Sequence, residues 1–270
     1  MFNIVFVAVV YNNVEDTLDF VRSIEGLIKS NVKISCVIVD NSDNLSLQES
    51  INNLPLRYHF VEVLRPAANL GYFGAFNHFF KNYPLLSIDA VILCNNDLIF
   101  YDNFAEVLKS ARYSKDTYVV CPDVITVDGI HQNPHVLKPR TWLQRLKLDV
   151  YFSNYYIACT LRILQRCIKL LLTERKAIEP MAGCYLHMGI GACYVLLPEF
   201  LGRIKQLEFP HFLYGEEAYL TRQVHSAGGR LYFDPTMKVI HKESATLSKL
   251  PRRATYDFGR EGYWDYRTFY

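Results

Sequence analysis

The chain has 270 residues, 50% of them hydrophobic and 21% charged, with a net charge of +2. This is a globular composition, long enough to bury the core of one large domain with an insertion, and it excludes a disordered or low-complexity chain. No apolar run reaches the ~18 residues of a bilayer span, and the seven cysteines include no C-x-x-C pair, so neither a zinc site nor a disulfide framework is expected. Free thiols fit a reducing cytoplasm. The start, Met1-Phe2-Asn3-Ile4-Val5-Phe6, has no basic stretch before its apolar run, so no signal peptide is expected. The net charge averages two unlike regions, and no nucleic-acid partner is expected.

Ile4 to Val10 is a β-branched run and predicts the first strand. Asn13, with Asp16 three residues on, forms a capping-box pattern, and Val14, Leu18, Val21, Ile24 and Ile28 follow at helical spacing. Val32 to Val39 predicts a second strand, running into Asp40-Asn41-Ser42-Asp43-Asn44, and Tyr58 to Leu64 a third, ending near Arg65-Pro66. Gly71 to Tyr83 predicts a short helix. Ile88 to Cys94 is a strand, continuously apolar as one covered on both faces is, and it stops in Asn95-Asn96-Asp97. Strand and helix alternate at βαβ spacing, which predicts an α/β fold with a mostly parallel sheet. The strand ends Tyr11-Asn12, Asp40-Asn41, Asn69-Leu70-Gly71 and Asn95-Asn96-Asp97 then share one edge, where ligands of open α/β sheets bind. An acid there, beside two amides, is placed to hold a divalent cation and a diphosphate. The alternative is that Asp97 only caps a helix beginning near Asp102.

Thr117 to Cys121 predicts another strand, and Asp128-Gly129 a turn. His131 and His135 are four apart, but Pro134 between them argues for loop contacts rather than a helical metal pair. Residues 138–180 hold nine Lys and Arg against three acids, a net +6, which leaves about −4 for the remainder. Ile157, Leu161, Leu164, Ile168 and Leu171 form a helical stripe, with Arg162, Arg166 and Lys169 on another face and Trp142 nearby. Two readings follow: an amphipathic helix lying on an anionic membrane surface, or a helix packing its stripe on the sheet with its basic face solvated. From Met188 the α/β pattern resumes. Gly191 to Leu197 predicts a strand and Pro198 starts a short helix. Tyr214-Gly215-Glu216-Glu217 opens another helix, which Gly228-Gly229 stops. Arg230 to Phe233 and Met237 to His241 predict two short strands, the second followed by Lys242-Glu243-Ser244. The tail, Tyr256 to Tyr270, is rich in aromatics and Arg and carries no readable pattern.

Taken in order, Val9-Val10-Tyr11-Asn12, Val37-Ile38-Val39-Asp40-Asn41-Ser42, Asn69-Leu70-Gly71-Tyr72-Phe73-Gly74-Ala75-Phe76-Asn77, Cys94-Asn95-Asn96-Asp97, Phe212-Leu213-Tyr214-Gly215-Glu216-Glu217 and Val239-Ile240-His241 resemble the inverting glycosyltransferases of family 2, with the GT-A fold. The closest likeness is to bacterial rhamnosyltransferase-like enzymes of O-antigen, capsule and other surface polysaccharides. The resemblance implies a Rossmann-like sheet flanked by helices. Residues 1–125 would form the nucleotide-sugar half, 126–187 a loop and basic helical insertion, 188–250 the acceptor-side half and 251–270 an aromatic tail.

It also implies roles. Asp97 matches the last acid of the DxD-type metal motif, with Asn95 in place of the first acid, and His241 matches a histidine that completes the metal shell. The metal is expected to be Mn²⁺ or Mg²⁺, with imidazole favouring Mn²⁺; the alternative for His241 is a strand-end histidine bonded to backbone. Asp40 would bind the nucleotide base, or else only form its turn. Tyr11, Asn12, Asn69, Gly71, Gly74, Asn77, Asn95 and Asn96 would frame the donor, a dTDP- or UDP-sugar. Inversion needs a base; the family carries Glu-Asp where this chain has Glu216-Glu217, so Glu217 is the expected base and Glu216 its alternative. Arg222 is expected to be structural. The expected acceptor is a polyprenyl-diphosphate-linked glycan, reached by a cytoplasmic protein peripheral to the membrane. Two other readings remain: a non-catalytic sugar- or lipid-binding subunit of the same fold, and a sugar-nucleotide pyrophosphorylase. The latter lacks its Gly-rich, Arg-containing loop after the first strand.

Overall fold

In the computed structural model, residues 1–29, 31–171, 182–243 and 252–269 are described, without the side chains of 165–171 and 252. A single sheet organises them, with strand order β3-β2-β1-β4-β8-β6-β9-β5 and β7 added alongside β9. Its strands are β1 (Phe2–Val10), β2 (Val32–Asp40), β3 (Val61–Leu64), β4 (Ala90–Asn95), β5 (Leu98–Phe100), β6 (Thr117–Thr126), β7 (Cys184–Leu186), β8 (Cys193–Leu196) and β9 (Arg230–His241). β1 runs parallel to β2 and β4, and β2 to β3. β8 is antiparallel to both β4 and β6, which returns β6 to the direction of β4, and β9 runs parallel to β6. Six strands therefore point one way, and β5, β7 and β8 oppose them. The mostly parallel α/β sheet is as expected.

Strand periodicity divides the core in two. Ile4, Phe6, Ala8 and Val10 face one way, onto Phe20, Val21 and Ile24 of α1 (Val14–Glu25) and Phe104 and Leu108 of α5 (Phe104–Ser110). Val5 and Val7 face the other, onto Phe73, Phe76 and Phe79 of α4 (Gly71–Asn82), Phe200 of α8 (Pro198–Arg203), and Leu220 and Val224 of α9 (Glu216–Ser226). Each of the larger side chains among these contributes roughly 1.5–3 kcal/mol on burial. α1 begins where its cap was read: the Asn13 side chain accepts from the Asp16 amide at 3.2 Å. It ends before Ile28, which is 44% exposed.

Other elements depart from expectation. α2 (Leu45–Asn52) and α3 (Leu54–Arg57) were not predicted, because each buries a single apolar residue and leaves no amphipathic stripe to read. β6 runs on through Pro122 to Thr126, and the two expected strands at 230–241 are one, β9. Its register jumps from Pro122↔Asp234 to Asp123↔Lys238, so residues 235–237 bulge out of the ladder, where Asp234 Oδ1 accepts from the Thr236 amide. The tail is a helix, α10 (Arg252–Tyr266), docked through Tyr263 and Tyr266 on a third cluster with Tyr219 of α9 and with Leu148 and Phe152 of α6 (Trp142–Ser153).

The basic insertion forms α6 and α7 (Tyr155–Leu171), and its faces are not as expected. Arg162 turns inward over the Tyr151 ring, 5.7 Å from its centroid. Ile157 and Leu164 of the expected packing stripe stand 41% and 52% exposed. Guanidinium stacking on tyrosine outweighs the simple stripe rule here. The side chains of Arg166, Lys169, Ile168 and Leu171, and Ser244 beyond β9, lie outside the described residues.

Candidate active site

The parallel strands bring their carboxyl ends to one edge, as the chain order predicted. Val10 pairs with Asp40, Val9 with Asn95, and Thr126 with His241. Leu98, the residue after Asp97, pairs with His241 from the other side, and the Lys242 amide donates to the Asp97 carbonyl at 3.0 Å. Residues 144 positions apart are thereby held side by side: His241 Nε2 lies 3.3 Å from Asp97 Oδ1. Lys242 fastens the arrangement, reaching Asp16 at 2.9 Å and Asp19 at 2.6 Å on α1. A buried carboxylate oxygen beside an imidazole nitrogen is a donor set that fits Mn²⁺ or Mg²⁺, with the remaining positions left to phosphate oxygens and water. Among the described residues no group of three or more such side chains gathers there. His131 is engaged elsewhere, with its Nδ1 2.7 Å from the buried Asp123 carboxylate.

The residues expected on the donor side form a second cluster on the same edge. Asp40 is buried, its Oδ1 accepting from the Ser42 amide at 3.0 Å and its Oδ2 paired with Arg65. Tyr11 donates to Asp43 at 2.9 Å, and Asn12, in the left-handed region at φ 50°, donates to the same carboxylate at 2.6 Å. These bonds fold the end of β1 onto the turn after β2. Asn69 Oδ1 accepts from the Gly71 amide at 3.0 Å, and Asn41 Nδ2 donates to the Gly71 carbonyl at the same distance. Gly71 has φ +70°, and a Cβ there would stand 2.5 Å from the Phe212 carbonyl. Gly74 is similarly tight, against Leu70 at 2.9 Å.

Two of the residues expected to frame the donor make hydrogen bonds within the fold. Both amide atoms of Asn77 bond the Leu207 backbone, each at 2.8 Å. Asn96 is buried and donates to Thr17 Oγ1 at 2.9 Å, which faces it toward α1. Asn95 remains at the edge, its amide donating to the Ala192 carbonyl at 3.0 Å.

That last bond leads to the acid pair. Gly191, next to Ala192, has so little room that a Cβ would meet Glu217 Oε1 at 2.7 Å. The Gly191 amide donates to Glu217, and Tyr72 of the donor loop donates to the Gly191 carbonyl at 2.8 Å. Glu216 and Glu217 thus sit in the first turn of α9, beside the end of β4 and the start of α4. Burial, and then the Glu217 charge, push Glu216 up to about 8. Burial also raises Glu217, opposed by its own amide and that of Gly191. Burial thus raises both acids, and the Gly191 amide favours the charged form of Glu217.

Arg65, Tyr72, Gly191 and Lys242 belong to the site but were not singled out. Tyr72 and Gly191 stood inside or beside motifs that were read; Arg65 and Lys242 had no local signal.

The sequence matches glycosyl transferase family 2 over residues 5–169, more than half of the chain. The chain belongs to that family. The matched stretch carries Asp40, the Asn69–Asn77 loop and Asp97, and stops short of Glu216, Glu217 and His241. No curated protein matches it in sequence. Solved structures share the family 2 chain's fold. GalNAc-T7 with UDP, GalNAc and Mn²⁺ has TM-score 0.58 and 14% identity, over 90% of this chain and 44% of that one. S. aureus TarS has TM-score 0.56 and 12% identity, over 91% and 37%. The mannosyltransferase PcManGT from Pyrobaculum calidifontis, in complex with GDP-Man and Mn²⁺, has TM-score 0.55 and 12% identity, over 98% and 72%. The present chain therefore spans less than half the length of the first two. At such identities the likeness is one of fold.

Proposed function

We propose that this family 2 member is an inverting glycosyltransferase, moving a sugar from a nucleotide-diphosphate donor to an acceptor hydroxyl. The observation that carries the reading is the acid pair Glu216–Glu217, held against Gly191 at the sheet edge that also gathers the Asn69–Gly74 loop, Asp97 and His241. Glu217 takes the proton of the acceptor hydroxyl as its oxygen attacks the anomeric carbon, and the nucleoside diphosphate leaves from the opposite face. Asp40 and Arg65 hold the base, and Tyr11 forms the wall beside them. Asp97 and His241 would hold Mn²⁺ or Mg²⁺, and the ion would supply positive charge to a departing diphosphate. Solved relatives of the same fold were obtained with UDP or GDP-Man and Mn²⁺, which supports a nucleotide-sugar donor. A dTDP- or UDP-sugar is our choice.

For the acceptor we propose a polyprenyl-diphosphate-linked glycan of a surface polysaccharide such as O-antigen or capsule, reached from an anionic membrane surface on the cytoplasmic side. Among the described residues no helix is long and apolar enough to cross a membrane. What supports a peripheral association is α6, whose outer side exposes Trp142, Leu143, Leu146 and Val150 beside Lys138 and Lys147. α10 links this face to the catalytic helix: Tyr263 donates to Asp149 of α6 at 2.6 Å, and Tyr266 packs against Gly215 at the start of α9.

The test is a thermal-shift screen of sugar nucleotides with and without Mn²⁺, followed by transfer assays. A ligand that binds only the folded state raises Tm by mass action. Asp97→Ala should lose the metal-dependent shift and turnover. Glu217→Gln should keep donor binding and lose about 10²–10⁴ in kcat. No shift with any sugar nucleotide would move the assignment to a non-catalytic subunit.

A further inference from the structure

We infer that Gln132 is a positioning residue for the metal site, fixing the tautomer of His241 through a relay that begins at Glu243. The inference rests on the assignment of Asp97 and His241 as metal ligands. Gln132 sits in the loop after β6, anchored by its amide to the Val124 carbonyl at 2.8 Å. Its side-chain Nε2 donates to Glu243 Oε1 at 2.8 Å, and its Oε1 lies 2.7 Å from His241 Nδ1.

The polarity of this relay follows from what each group can do. An ionised carboxylate only accepts hydrogen bonds, so the amide nitrogen of Gln132 must face Glu243. The amide oxygen, which only accepts, then faces His241. A hydrogen bond at 2.7 Å requires Nδ1 to carry the proton. With the Nδ1 proton fixed in this way, Nε2 is the nitrogen that can offer its lone pair to a metal, and it is the one turned toward Asp97, 3.3 Å away. With the amide reversed, an NH₂ would confront Nδ1, the proton would move to Nε2, and the ligand atom would be blocked. Glu243 therefore sets the orientation of an amide, and the amide sets which imidazole nitrogen can bind a metal. Outer partners of this kind typically change metal affinity by 10–100-fold.

Glu243 follows directly on an anchored strand end. It adopts φ 52°, and the residue before it, Lys242, bonds both Asp16 and Asp19. The same strand end thus supplies the metal ligand, the fastener and the head of the relay.

The experiment titrates Mn²⁺ into the full chain, following the free-ion electron paramagnetic resonance signal, with ¹⁵N-histidine spectra of the metal-free protein alongside. Gln132→Ala should weaken Mn²⁺ binding by about 10–100-fold, and the exchanged pair Gln132→Glu with Glu243→Gln should restore it to within about threefold, because Glu at 132 accepts from both neighbours. In the spectra, Nδ1 of His241 should be protonated in the wild type and in the exchanged pair, and lose part of that occupancy in Gln132→Ala. His241→Ala is the control for the site itself. Wild-type Mn²⁺ affinity and an unchanged tautomer in Gln132→Ala, with binding lost in His241→Ala, would overturn the relay alone. Wild-type affinity in His241→Ala would overturn the metal assignment and the relay with it. Should the exchanged pair fail to fold, the tautomer of His241 in Gln132→Ala still decides.

Discussion

Two neighbouring carboxylates in a place short of water cannot both ionise without cost, and the cost falls unequally on Glu216 and Glu217. Glu216 is 7% exposed and is raised first by burial and then by its neighbour's charge. Glu217 has the Gly191 amide to favour its charged form. This division supports Glu217 as the proposed base and gives Glu216 a measurable signature. Its folded-state value of about 8 lies above the 4.5 it would have unfolded. The folded state then holds the proton more tightly, so the stabilisation is complete below about pH 4.5 and is lost as pH rises through 8. Glu216→Gln cannot ionise and escapes that loss. Its Tm relative to wild type should climb between pH 5 and pH 9, by several degrees, on the order of 1–3 kcal/mol. A difference that stays flat across that range would mean that Glu216 titrates as an ordinary carboxylate, and would reopen which of the two is the base.

At the level of elements, the donor loop and the acid pair are brought together by one close crossing. The start of α4 lies under the Phe212 carbonyl, and only a glycine with φ +70° fits at position 71. Gly71→Ala should cost about 1–3 kcal/mol from backbone strain and displace the 207–215 loop. Donor KM should rise more than kcat falls, since the loop frames binding while Glu217 remains on its helix. An unchanged donor KM with only a lowered Tm would show that the crossing serves stability alone. This crossing also marks how far the sequence could be read. The Asn13 cap, the α4 loop and the polar strand ends are local patterns, and each stands where it was expected. The bulge at residues 235–237 was not legible, because it depends on the register of β9 against Pro122. Gln132 was not legible either, for its partner His241 is 109 residues away. The docking of α10 could not be read from an aromatic tail whose contacts are on α6 and α9.

Across the whole molecule, the apolar surface is distributed unevenly. The sheet is covered on both faces, yet α6 buries none of its residues fully and presents Trp142, 70% exposed, with Leu143, Leu146 and Val150 on its outer side. Across residues 138–164 there are five basic residues and one acid, and that acid, Asp149, is turned inward to Tyr263 and Arg267. An apolar stripe with only positive charge around it suits an anionic lipid surface, where the tryptophan sits at the headgroup level and the lysines meet phosphate. It is this face, rather than the Arg162 side of α7, that should bind. In cosedimentation, the protein should pellet with phosphatidylglycerol-containing vesicles and stay in solution with phosphatidylcholine ones. Replacing Leu143, Leu146 and Val150 together by Ser, all of them exposed, should lower vesicle binding at least about tenfold while leaving Tm and donor binding in solution unchanged. If the triple variant sediments as the wild type does, the stripe is not the docking face. If it instead abolishes a dimer seen by light scattering, the stripe joins two copies of the chain, and the acceptor must reach Glu217 by another route.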